Sequence, residues 1–255
     1  MNNYRADLHI HTVLSPCGDL EMSPVNIVDR AARKGLDIIA ITDHNHTGHA
    51  KLTRKLGEER GLWVVYGAEV TTREEVHCLT FFDTDDQLDQ FQQYIDEFQP
   101  YMPNDLSLFG HQVIVDAEEQ IIEELEKSLY PALNKGIDEI AGFVHSLGGL
   151  FVPAHVDRKM NGLYSQLGFF PSDLKPDAVE IFRRTRRKAI VKQHPELKDF
   201  QLLKSSDAHF IEDIGRCTST LVMQKRNFAE LKLALRGEEQ RGIVQDKSGT
   251  IGGNL

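Results

Sequence analysis

No stretch of the 255 residues approaches 18 consecutive apolar side chains, so no membrane-spanning helix is expected. Cysteine is scarce. Cys17, Cys78 and Cys217 are odd in number and far apart, which argues against a disulfide framework and fits a reducing compartment. Positive charge is in deficit, with 29 Lys plus Arg against 39 Asp plus Glu and a net charge of −10. Extended nucleic acid, which is held by neutralising phosphates, is therefore not the expected partner; a small anionic substrate held through metal ions is compatible with that balance. Residues 1–7 lack a basic stretch followed by an apolar one, so the expected compartment is the cytoplasm. A hydrophobic fraction of 40% and a charged fraction of 27% exclude disorder, collagen and coiled coil, and the length suits one α/β barrel domain over 1–255.

Short β-type runs alternate with longer helical ones, the pattern of an α/β fold. The strand-like runs are 6–10, 36–41, 62–66, 76–82, 150–154, 178–182, 201–205 and 218–222. Most are nearly continuous apolar segments, as strands buried on both faces should be. Ser23-Pro24 offers an N-cap and a first-turn proline, Val25, Val28 and Ala32 follow at helical spacing, and Gly35 ends that helix. Leu88, Phe91, Ile95 and Phe98 predict a helix over 85–98. The segment 83–148 shows no convincing strand and further helical patterns at 118–129 and 137–147, so it is expected to be a helical insertion packed outside the barrel. Residues 157–174, with three aromatics, Gly162, Gly168 and Pro171, predict a long covering loop, and the Gly-rich tail 248–255 is expected to fray.

Histidine numbers 11, and six of these residues recur with carboxylates in or at the ends of the strand-like runs. His9 and His11 are two apart and share a face of an extended strand. Asp43-His44 follows the second run, Glu69 the third, His77 lies in the fourth, His155 ends the fifth, and Asp207-Ala208-His209 ends the seventh. Strand ends gather at one mouth of an α/β barrel, where active sites are built. The six histidines with Glu69 and Asp207 supply eight nitrogen or carboxylate donors, more than one tetrahedral or five-coordinate ion can use, so two or three metals are implied. A polynuclear site suits phosphate-ester hydrolysis, because ions activate a water and stabilise both attacking and leaving oxygens. Glu69 is the natural bridging ligand, since neutral imidazole seldom bridges two ions.

Asp7-Leu8-His9-Ile10-His11-Thr12, Ile41-Thr42-Asp43-His44-Asn45, Gly67-Ala68-Glu69, Pro153-Ala154-His155 and Ser206-Asp207-Ala208-His209 resemble, in this order and spacing, the PHP (polymerase and histidinol phosphatase) superfamily over about 6–215. The resemblance implies a distorted seven-stranded (β/α) barrel, two or three divalent ions (manganese, zinc or iron) and phosphoesterase activity on a small metabolite or nucleotide. It implies His9, His11, Glu69 and Asp207 at a first ion, Glu69, His77 and His155 at a second, and His44 with His209 at a third. The third ion needs one more ligand from the loop after His11. The usual ligand of that loop is replaced by Ser15-Pro16-Cys17-Gly18-Asp19, where Asp19 is the first choice and Cys17 the alternative. Histidinol-phosphate phosphatase, 3′–5′ nuclease-like activity and a non-catalytic metal-binding module are the alternatives within the resemblance.

Around that set, Arg158 and Arg184 are the expected phosphate contacts, with Arg183 and Arg186 as further candidates and Arg216 a weaker one. Asp7 and Asp43 are expected to orient imidazoles, and Asp207 or His209 to protonate the leaving oxygen. His46, His49, His111, His145 and His194 are read as structural or surface residues, His46 being the one closest to a ligand position. Cys78 should face the opposite side of its strand from His77, in the core, and Cys217 is also read as core.

Overall fold

The computed structural model describes residues 1–244. The expected frayed tail at 248–255 lies outside the described residues. The chain begins with β1 (Asn2–Ile10), α1 (Pro24–Arg33), β2 (Ile38–Ile41), α2 (Ala50–Glu59) and β3 (Trp63–Thr71). Ser23 caps α1 by accepting from the Asn26 amide, Pro24 occupies the first turn, and Gly35 takes the left-handed backbone (φ 65°) that turns the chain into β2. These three strands run parallel, and β2 is buried along its whole length.

The next step departs from simple alternation. β4 (His77–Phe82) is antiparallel to β3, with Glu69 opposite Leu79 and Thr71 opposite His77. The five residues 72–76 between them are too few for the crossover that a parallel strand needs. β3 is also longer than expected, so Glu69 lies within it rather than after it. The reversal matters for the site: His77, at the start of β4, lands at the same end of the sheet as the close of β3.

Then follow α3 (Asp85–Phe98), α4 (Leu106–Phe109), β5 (Val113–Val115), β6 (Ile121–Glu124), α5 (Ile137–Ser146) and β7 (Leu150–Pro153). Thr84 and Gln87 form a reciprocal capping box at the start of α3, which buries Leu88, Phe91 and Ile95. The helix expected over 118–129 is instead the exposed strand of a β-hairpin, β6 against the largely buried β5. The β-branched pair Ile121-Ile122 favours a strand. Asp116 closes the turn by accepting from the Glu118 and Gln120 amides, with Glu119 in left-handed backbone.

The last elements are α6 (Leu163–Leu167), within the expected covering loop, β8 (Val179–Glu180), α7 (Arg187–Gln193), β9 (Leu202–Leu203), β10 (Ser219–Met223), α8 (Phe228–Arg236) and β11 (Gly242–Ile243). In place of one continuous seven-stranded barrel, the main sheet is a curled half-barrel in the order β11-β10-β1-β2-β3-β4-β7, with β8 and β9 as a separate parallel pair. The last of the expected strands, β10, runs antiparallel to β1 and continues the sheet beyond it. Backbone bonds from Asp177 to Phe151 and from Val156 to Glu180 join the β8–β9 pair to β7, and Ala208 pairs with His9 and His11 of the first strand segment. The segment 206–209 is thereby held against β1. Phe81, Phe82, Phe91 and Phe151 are fully buried in the apolar clusters behind this arrangement, each stabilising the fold by roughly 1.5–3 kcal/mol through burial.

Candidate metal centre

Alternation along β1 places Ala6 and Leu8 in the apolar core and His9 and His11 on the other face, both fully buried. His9 Nδ1 meets Glu180 Oε2 at 3.0 Å, and His11 Nδ1 meets Ser15 Oγ at 3.1 Å. With those nitrogens protonated, the two Nε2 atoms face each other at 3.1 Å as bare lone pairs. Such a contact between two neutral rings is repulsive, and a proton or a metal ion held between the rings and a carboxylate relieves it.

Glu69 is that carboxylate. Its Oε2 lies 3.3 Å from His9 Nε2, 3.3 Å from His11 Nε2 and 3.2 Å from His44 Nδ1; its Oε1 lies 3.1 Å from His77 Nδ1 and 3.0 Å from His155 Nε2. Five imidazoles from four segments therefore converge on one buried side chain. Asp207 Oδ1 approaches the same point, 3.5 Å from His9 and 3.6 Å from His11. Glu69 Oε2 and Asp207 Oδ1 are buried and make no hydrogen bond. Buried carboxylate oxygens without donors are costly in isolation and natural as metal ligands. His155 (φ 28°) and Asp207 (φ 53°) both sit in left-handed backbone, a conformation that persists in non-glycine residues where the surroundings enforce it.

Three overlapping groups have the geometry to hold an ion: His9, His11 and Glu69; His44, Glu69 and His77; and His11, Cys17, His44 and His209. In the third group the loop after His11 contributes Cys17, the alternative to Asp19. Asp19 instead accepts from the Glu21 amide at 2.9 Å, closing a turn. Gly18 explains the difference, because a Cβ there would lie 2.1 Å from the Thr12 carbonyl. The loop folds back on itself that tightly, and Cys17 is carried over the imidazoles while Asp19 turns away.

The electrostatics are those of a site built for cations. Burial alone would push His9 down, but Glu69, Glu180 and Asp207 outweigh it and hold its pKa well above the usual value. Burial likewise opposes ionisation of Glu69 and Asp207, yet His77, His9 and His44 around the first, and His9 and His11 beside the second, hold both well below the carboxylate range. These surroundings favour the carboxylate form of Asp207. Burial and His11 push His209 down to about 4. Its Nδ1 faces the Asp207 carbonyl at 2.9 Å, which leaves Nε2 bare at neutral pH. Burial, with Glu69 and Asp207 nearby, pushes the Cys17 thiol up to about 12; a bound cation would reverse that.

The supporting residues differ from expectation in detail. Asp43 does not touch an imidazole; it accepts from Ser15 Oγ and Thr12 Oγ1, and Ser15 in turn meets His11. Asp7 holds the Asp207 segment, accepting from the Ser206 amide and hydroxyl and from the Gly215 amide, and burial raises its pKa to about 6. The residue missed from sequence is Glu180, which meets His9 and accepts from the His155 amide at 3.0 Å. A lone acid in the apolar run 178–182 was its signal. His49, read as structural, is buried between Thr12 Oγ1 and the Val115 amide and ties the β5–β6 hairpin to the site loop.

Among the arginines, Arg158 reaches the cluster, donating to Asp207 Oδ2 at 2.9 Å with its side chain 41% exposed. Arg183 donates to the Ser206 carbonyl, whereas Arg184 is exposed and makes no hydrogen bond or ion pair among the described residues. Arg216 pairs with Asp213 at the surface. Asp157 accepts from the Phe182 amide and the Thr185 hydroxyl, drawing the basic segments 158–159 and 183–188 together.

The family model described as the PHP domain matches residues 7–167. An uncharacterised protein of Methanocaldococcus jannaschii, MJ1587, is 42% identical over 78 residues, 28% of this chain and 46% of that protein. Phosphoribosyl 1,2-cyclic phosphate 1,2-diphosphodiesterase of Eggerthella lenta is 35% identical over 78 residues, 29% of each chain. The lesion-specific endonuclease Q of Pyrococcus furiosus superposes with a TM-score of 0.75 at 22% identity, covering 95% of this chain and 58% of that one. Another structure of endonuclease Q holds a 27-mer duplex with an abasic lesion at its active site, at a TM-score of 0.71, 20% identity and the same two coverages. This chain spans under half of the two curated relatives and under two thirds of endonuclease Q. No helix among the described residues is long and apolar enough to cross a membrane.

Proposed function

The chain belongs to the PHP domain family, and from that premise we propose that it is a phosphoesterase hydrolysing phosphate esters at a site for two or three divalent ions. The observation that carries this reading is the convergence of five imidazoles on Glu69, with Asp207 and Cys17 completing the donor set. His9, His11, Glu69 and Asp207 would hold one ion, Glu69, His77 and His155 a second, and His44, His209 and Cys17 a third. Bound there, divalent ions supply Lewis acidity and lower the pKa of a coordinated water.

The remaining work falls to the chain itself. Glu180 fixes the His9 ring and the His155 backbone, and Asp43 fixes His11 through Ser15, so the donors are preorganised. Arg158, at the exposed edge of Asp207, is positioned to grip an ester oxygen in a fork. Arg184, the second expected phosphate contact, follows Arg183, whose bond to the Ser206 carbonyl holds that segment beside Asp207. The test is metal content by elemental analysis together with hydrolysis of phosphomonoesters and phosphodiesters in added manganese. Metal-dependent turnover supports the reading, and a metal-loaded protein inert on both classes turns it towards a binding module.

A second reading, cleavage of a nucleic-acid strand, is favoured by the likeness to endonuclease Q and by the basic segments that Asp157 brings together at the mouth. Release of nucleotides or nicking of a lesion-bearing duplex would separate it from small-metabolite hydrolysis.

A further inference from the structure

A cavity of about 340 Å³ opens directly from the metal centre, with Cys17, His44 and His77 on its inner side. Its size falls in the range of small-ligand sites. Phe109, Leu129, Tyr130, Pro131 and Ala132 make part of its lining apolar. Phe109 and Tyr130 stack there with ring centroids 5.2 Å apart and planes 26° from parallel, yet Tyr130 is 63% exposed. An aromatic pair already ordered by stacking and left facing a cavity is a platform for a further flat ring.

Another part of the wall is polar. Glu75 (φ 60°) and Asn161 (φ 57°) both occupy left-handed backbone, and Asn161 Nδ2 donates to the Glu75 carbonyl at 3.0 Å. The Asn161 carbonyl accepts from the His77 amide at 3.0 Å, which ties this wall to a metal-ligand position. The Glu75 carboxylate has no hydrogen bond or ion pair among the described residues and lines the cavity. A carboxylate accepts from the exocyclic amino group of a base such as adenine or cytosine.

We propose that this cavity is a base-binding slot, taking the heterocycle of a nucleotide on the Phe109–Tyr130 platform while its phosphate lies at the His-Glu cluster. The proposal rests on the phosphoesterase reading for the place of the phosphate, and names the part of the substrate that reading leaves open. The slot selects amino-bearing bases through Glu75, and the base orients the ester towards the donors on β3 and β4.

The test compares two ligands that differ only in the base: non-hydrolysable phosphonate analogues of AMP and of ribose 5-phosphate, titrated calorimetrically into manganese-loaded protein. The AMP analogue should bind on the order of tenfold tighter. Tyr130→Ala should abolish that preference while leaving the ribose analogue unchanged, and Tyr130→Phe should preserve it. Because Tyr130 is exposed, both variants should fold. Equal binding of the two analogues, binding of neither, or a preference that survives Tyr130→Ala would overturn the slot.

Manganese-dependent hydrolysis of p-nitrophenyl phosphate and its diester, run beside the titration, keeps the two claims apart. Turnover without a base preference rejects the slot alone, whereas no turnover and no bound manganese rejects the phosphoesterase reading as well. A free nucleotide and a nucleotide turned out of a strand present the same base and phosphate. A short single-stranded deoxyadenosine oligonucleotide that displaces the AMP analogue at lower concentration assigns the base to a strand; the reverse order assigns it to a mononucleotide.

Discussion

Two regions of this molecule are equally hidden from water and opposite in composition. The apolar clusters around Leu8, Leu79, Phe81, Phe82 and Phe151 hold the sheet to its helices. A few ångströms away along the same strands, His9, His11 and Glu69 are as fully buried but bring charge and bare lone pairs together. In the first region burial is itself the stabilising force. In the second, burial opposes every charged form, and at His9, Glu69 and Asp207 the pairing of carboxylates with imidazoles outweighs it. The contrast teaches that the core makes the fold and that the site is kept for something outside the chain.

That separation can be broken most severely at the site. His9→Ala or Asp207→Ala should lower kcat/KM by at least about a thousandfold, since metal-assisted charge stabilisation contributes several kcal/mol. Circular dichroism should show a native fold in both variants, and normal turnover by either would remove the residue from the site. In the core, Phe151→Ala should lower unfolding free energy by about 3–5 kcal/mol, read from denaturant curves, with metal stoichiometry of the folded protein unchanged.

Smaller effects sharpen the boundary between the regions. Glu180→Ala, which removes the partner of His9 Nδ1, should weaken metal affinity by about 10–100-fold in a competition assay against a chelator. Metal binding should also weaken from pH 8 to pH 5.5. His9 holds its proton more tightly than an ordinary imidazole, so each fall in pH strengthens a competitor for the same nitrogen. Affinity independent of pH would contradict the assigned donor. Least costly is the loop: Cys17→Ala should lose one ion per chain by elemental analysis, whereas Asp19→Ala should lose none and cost about 1 kcal/mol or less from its turn.

Much of this was legible in the residues. β2, β7 and β8 lie within apolar runs because strands buried on both faces carry no alternation to obscure them. The six site histidines stood out because nothing apolar needs a histidine at the end of each strand. What escaped depended on through-space contacts. The hairpin at Val113–Val115 and Ile121–Glu124 carries apolar spacing that also fits a helix, and its Asp116 turn decides the matter. Asp19 was the first choice in its loop and Cys17 the alternative; that Cys17 lies with His11, His44 and His209 while Asp19 closes a turn depends on contacts that spacing does not carry. The reversal of β4 escaped because the third run was read as ending at 66, whereas β3 continues to Thr71 and leaves only 72–76 for the connection.

The most direct test of the account is elemental analysis of protein purified without chelator, paired with its hydrolysis of phosphate mono- and diesters. Two or three divalent ions per chain, with turnover that disappears on chelation and returns with manganese, is the predicted result. A folded protein that binds neither manganese nor zinc would contradict the metal centre on which every functional statement here depends.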